Sequence, residues 1–175
     1  MKFGKVTQND SNDLRRQSDS GRHTLLMVVV LTAVNLVMLV TDAGRYFLFS
    51  ASVPYYLTAF CLGMDGGAGG IGQFTTVALV ISAVIVAAYL LCWFLGRKKS
   101  GWYVVALVMF AVDTLVLLAL AVLLDILAES IMDLVFHGVV VFSLLQTILA
   151  ERKIKKAAVA ENPAYVDPWD QVSHQ

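Results

Sequence analysis

Apolar positions along this chain gather in long runs separated by short polar stretches. A helix needs about 17–25 consecutive, mostly apolar residues to cross the hydrocarbon core of a bilayer. Four runs qualify, at residues 24–41, 74–96, 102–124 and 131–150. A fifth stretch, 46–62, has 17 residues of which 13 are apolar. The ends, 1–23 and 151–175, are polar, and no internal repeat stands out. The pattern predicts an all-α polytopic membrane protein. Its centre is a four-transmembrane-helix bundle over 24–150, with a polar N-terminal tail and a C-terminal tail whose first part can be helical.

Positive charge decides between four spans and five, because lysine and arginine stay on the cytoplasmic side. With four spans and the N-terminus inside, 12 of the 13 basic residues are cytoplasmic and only Arg45 is outside. Counting 46–62 as a fifth span would leave 5 inside and 8 outside. Four spans with both termini cytoplasmic are therefore expected, in the cell membrane. The segment 46–62 falls to the extracytoplasmic connection between the first and second spans. It carries six aromatic residues, Tyr46, Phe47, Phe49, Tyr55, Tyr56 and Phe60. Rings with polar tips favour the water–lipid boundary, so the segment reads as an interfacial or re-entrant helix. Ser50 and Ser52 stand before Pro54, where they can cap a helix starting there.

Composition agrees with the pattern. The chain is 58% hydrophobic and 15% charged with a mean hydropathy of +0.73, against about 45–50% apolar and 25% charged in a soluble domain. Three prolines and two cysteines exclude proline-rich modules and disulfide scaffolds. The first apolar run is longer than the 7–15 residues of a signal h-region and lacks a small-residue cleavage site, so it reads as a retained span.

Several motifs tempt and carry little. Gly67-Ala68-Gly69-Gly70-Ile71-Gly72 spells G-x-G-x-x-G, but that pattern binds a dinucleotide only between a strand and a helix of a soluble βαβ unit. Here six of twelve glycines crowd into 63–72, which reads as a hinge. Cys61 and Cys92 fall at opposite ends of the bundle and cannot pair. Asn162-Pro163-Ala164-Tyr165 has the spelling of a turn-forming recognition peptide in a tail. The stretch 151–160, ERKIKKAAVA, can prolong the fourth helix and lay its basic side chains against anionic headgroups.

Polar residues within the spans give the functional reading. A carboxylate at mid-bilayer costs roughly 2.5–3.5 kcal/mol on insertion scales and therefore faces the bundle or water. Asn35, Asp113 and His137 each stand about 17–20 Å from the cytoplasmic edge of their spans at 1.5 Å per residue. Asp133 lies one turn from His137 on the same helical face, and Ser130 with Asp133 matches a capping box. Five carboxylates, Asp42, Asp65, Asp125, Glu129 and Asp133, face one arginine outside. Such a mouth attracts cations. Asn35, Asp113, Asp133 and His137 are the candidates for a proton or cation relay, and a buried contact locking helices together is the structural alternative.

The sequence holds no catalytic constellation, so a non-enzymatic membrane subunit is expected. It would act through a membrane-protein partner or as a homo-oligomer in the lipid bilayer. Small-residue pairs Ala78/Ser82 and Ala83/Ala87 in the second span permit close helix approach. The alternative is a proton- or cation-coupled small-solute transporter using Asp113 and His137. No cofactor, metal or nucleic-acid partner is expected.

Overall fold

Five α-helices form the described structure, with no strand among the described residues: α1 (Gln8–Val40), α2 (Ser52–Met64), α3 (Gln73–Gly96), α4 (Gly101–Leu123) and α5 (Leu127–Glu161). The computed structural model describes residues 8–44, 46–47, 50–67, 71–97 and 99–161. All but α2 are long and apolar enough to cross a membrane. The second and third apolar runs coincide with α3 and α4 to within a residue. The outer two helices are longer than their apolar runs. Polar residues from Gln8 continue the first span as helix, where a tail was expected, and α5 continues through the basic stretch to Glu161. The 33 residues of α1 rise about 50 Å, well beyond a hydrocarbon core of about 30 Å.

The long helices close a ring, each packing on two neighbours in the order α1, α3, α4, α5 and back to α1. Large apolar side chains point out of this ring, among them Val37 on α1, Val84 on α3, Leu115 on α4 and Phe142 on α5. Inside lie Thr32, Asn35, Ser82, Asp113 and His137 beside an apolar core of Leu25, Val28, Val29, Tyr89, Phe110, Val140 and Leu144. Polar inside and apolar outside is the arrangement that lipid favours, since polar groups at membrane depth face the bundle.

The α1–α5 seam is the most extensive and runs antiparallel. Ser18 donates to Glu151, Thr24 and Ser143 share a hydrogen bond of 3.1 Å, and Gly21 lies against Thr147. A Cβ on Gly21 would stand 1.6 Å from Thr147 Oγ1, so only glycine permits this approach.

Acidic residues build the helix ends on the side away from the basic tails. Asp42 and Asp125 hold positive φ angles of 53° and 56° just past α1 and α4. Beyond each, the chain closes a bond back into the helix, Ala43 N to Met38 O at 3.0 Å and Ile126 N to Ala121 O at 3.0 Å. These are left-handed helix stops, which aspartate tolerates better than most residues. Asp65 does the reverse for α3: Oδ2 accepts from Thr75 N at 2.7 Å and Thr75 Oγ1 at 2.6 Å. The Thr75 hydroxyl, then its N–H, hold the Asp65 carboxyl below its ordinary value. Gly72 makes the cap possible, because a Cβ there would meet Asp65 Cγ at 2.3 Å. Three of the five carboxylates read as an external acidic mouth thus have structural work.

Candidate functional site

After α1 ends, the chain turns back along the same helix. Asn35 takes hold of it first: its Nδ2 donates to Phe47 O (2.7 Å) and Ser50 Oγ (2.8 Å), and its Oδ1 accepts from Phe47 N (2.8 Å). Thr32, about one turn deeper, accepts the Ala51 N–H at 2.8 Å while donating to Val28 O. At Ser52 the chain reverses and climbs as α2. Thr32 lies eight residues from the end of α1, and Ser82, Asp113 and His137 lie a similar distance along their own helices. The first turn of α2 therefore sits roughly 12–15 Å inside the ring, at 1.5 Å per residue.

The first turn of any helix has N–H groups without helical partners. For α2 they are met from outside the helix. Ser52 N donates to Asp113 Oδ2 and Val53 N to Asp113 Oδ1, both at 2.8 Å. Pro54 follows, with no N–H to satisfy. The carboxylate of α4 is thus the cap of α2, favoured by the positive end of the helix dipole. Ser50 and Ser52, expected to cap this helix themselves, do not: Ala51 is the N-cap residue and makes no side-chain cap bond. Ser52 turns its hydroxyl to His137 Nε2 at 3.2 Å.

His137 completes the arrangement from α5. Its Nδ1 lies 2.8 Å from the Asp133 carbonyl, which can only accept, so Nδ1 carries a hydrogen. Nε2 lies 3.1 Å from Asp113 Oδ2. The imidazole stacks on Phe110 at 4.9 Å, and Phe110 meets the Tyr89 ring edge-on at 6.3 Å. On the α3 side, Ser82 donates to Pro54 O at 3.1 Å and bonds Thr58 Oγ1 at 3.1 Å. Each of the four long helices contributes a polar side chain to the first turns of α2 or the strand of chain leading into them.

Of the four relay candidates, Asp113 and His137 meet directly. Asn35 holds Phe47 and Ser50 instead. Asp133 lies beside the Tyr46 hydroxyl, with its Oδ1 buried and without a partner among the described residues. Burial pushes the Tyr46 phenol up, opposed by the Ser50 hydroxyl, which keeps Tyr46 a standing hydrogen-bond donor. The capping box read at Ser130 and Asp133 is not formed. Helix α5 starts earlier, at Leu127, and Ser130 N already bonds Ile126 O at 3.0 Å. The sequence reading missed Thr32 and Ser82 as site residues.

Comparison with family models, curated proteins and solved structures returned no match. The site therefore has to be read from its own chemistry. Among the described residues no group of three or more His, Cys, Asp or Glu side chains could hold a metal ion. Cys61 and Cys92 are both free thiols. Of the small-residue pairs, Ala78 and Ser82 are buried, on the helix against which α2 packs, whereas Ala83 and Ala87 stay exposed. The glycine stretch 68–70 and the tail motif at 162–165 lie outside the described residues.

Proposed function

We propose that this chain is a non-enzymatic subunit of the cell membrane, working through a membrane-protein partner or as a homo-oligomer, with both termini cytoplasmic. In this reading the 46–64 segment is re-entrant. It dips from the extracytoplasmic side to mid-bundle and returns as α2, which offers Phe60 and Met64 outward. The observation that carries the reading is the use made of Asp113. Both of its oxygens are taken up by backbone N–H groups of α2, and one also by His137. A buried charge so fully engaged serves to position an element. Below it, Phe110, Ala106, Val140 and Leu144 are fully buried, an apolar floor toward the basic end that favours a held structure over a conducted proton.

Two measurements test this. In native mass spectrometry from nanodiscs after crosslinking in the membrane, a species heavier than one 19.1 kDa chain is expected, as a multiple or with a second protein. A lone monomer at every protein density counts against the subunit reading. For orientation, Cys61 should react with an impermeant thiol reagent from outside intact cells, while Ser100→Cys should react only after the membrane is opened. Outside labelling at position 100 would reverse the topology.

A second reading, a proton- or cation-coupled transporter, is favoured by one observation: the unpartnered buried Oδ1 of Asp133, one helical turn from His137. Flux driven by a proton or cation gradient in vesicles, lost in His137→Gln, would put this reading first.

A further inference from the structure

At the end of the bundle opposite the α2 connection, the polar extensions of α1 and α5 flank an open cavity of about 340 Å³. Its walls are Arg15, Ser18, Asp19 and Arg22 from α1 with Glu151 and Ile154 from α5. The spacing 15, 18, 22 puts one stripe of α1 toward α5. Depth follows from the apolar runs. The first begins at residue 24 and the fourth ends at residue 150, so Arg22 and Glu151 stand at the hydrocarbon edge. Arg15 lies about 10 Å farther out along the helix. The headgroup layer occupies roughly the first 5–8 Å beyond that edge. The cavity therefore spans this layer, with Arg15 at its outer margin.

Its chemistry is two-signed. Arg22 donates through Nη1 to Asp19 at 3.2 Å, but its Nε is buried and has no acceptor among the described residues. Arg15 adds a second guanidinium on the same wall. Against these stand the Asp19 and Glu151 carboxylates, the latter accepting from Ser18. A guanidinium fork matches phosphate oxygens, and a carboxylate pair matches an ammonium with hydrogens to give. Ile154 gives the cavity one apolar side.

From this we propose that the cavity binds the headgroup of an amine-bearing glycerophospholipid. The Arg22 and Arg15 guanidinium groups donate to the phosphodiester, and the primary ammonium donates to Asp19 and Glu151. A choline headgroup has no N–H to give the carboxylates, and a glycerol headgroup brings no cation to add to the Arg22–Asp19 pair. The assignment rests on the four spans crossing a membrane and is independent of whether the chain works as a subunit or a transporter.

The test uses the full chain, stripped of lipid in detergent and titrated with phosphatidylethanolamine, phosphatidylcholine or phosphatidylglycerol, with retained lipid read by native mass spectrometry. Phosphatidylethanolamine should be retained about tenfold more than either other lipid, the weight of one charge-assisted hydrogen bond. Arg22→Gln should bring it down to the phosphatidylcholine level. Glu151→Gln should abolish its advantage over phosphatidylglycerol while leaving phosphatidylglycerol retention in place, and this variant carries the test if Arg22→Gln does not fold. Equal retention of the three lipids by the parent chain would overturn the proposal. So would parent-level phosphatidylethanolamine binding in a folded Arg22→Gln protein. Displacement of the lipid by inorganic phosphate would mark a site for soluble anions and overturn the lipid assignment.

Discussion

Asp113→Asn is expected to loosen α2 from the bundle, although it preserves shape and polarity. Both oxygens of Asp113 accept backbone N–H groups. Whichever way the amide is turned, its NH2 faces one of those donors, and one N–H of α2 is left unpaired in a dry site. That costs about 1–3 kcal/mol. Asp113→Ala leaves both N–H groups and His137 without their partner and should cost about 3–5 kcal/mol, the usual penalty for removing one member of a buried pair. Hydrogen exchange in nanodiscs reads the difference locally: amides at the start of α2 should exchange faster in the asparagine variant, with the long helices protected. The alanine variant should also melt earlier in detergent. Unchanged protection of Ser52 and Val53 in Asp113→Asn would mean that the carboxylate does not hold the helix.

The second large effect is expected at Gly21→Ala. The added methyl would overlap Thr147 Oγ1 and press on Thr147 Cβ at 2.8 Å, with the Ser143 carbonyl oxygen behind it at 3.2 Å. Helices α1 and α5 must then separate along their most extensive seam, at a cost of about 1–3 kcal/mol or more for overpacking. The double variant Gly21→Ala/Thr147→Gly restores the room and should recover part of the lost stability in a detergent melt. A single Gly21→Ala protein as stable as the parent would show that the seam yields freely.

The four spans were legible because each is a long apolar run and because the basic residues sort to one side. Depth was legible too, since position along a helix is arithmetic, and it put Asn35, Asp113 and His137 at one level without showing which of them meet. Which way a side chain turns was not. Asn35 shares the depth of the pair but serves the returning chain, a difference of helix rotation that spacing alone does not carry. The chief partners of Asp113 were hidden for another reason: they are backbone N–H groups, present at every residue and marked by none. Thr32 escaped notice because hydroxyls within helices ordinarily bond the carbonyl four residues back. Thr114 and Thr147 do that, as does Thr32, and only Thr32 also accepts the Ala51 N–H. At Ser130 the local capping rule lost to the turn after Asp125, which had already started α5.

The cap on α2 also has a consequence for the order in which the protein assembles. Ser52 is made 61 residues before Asp113 and 85 before His137. When α2 leaves the ribosome, α1 is complete and can offer Asn35 and Thr32 to the returning chain, but the acceptor for its first turn does not yet exist. Lipid tolerates no unpaired N–H at depth. In the re-entrant reading proposed above, the young helix must therefore wait at the bilayer surface, tethered at its leading end by α1. Its descent would then follow the insertion of α4 and α5, as a late docking step.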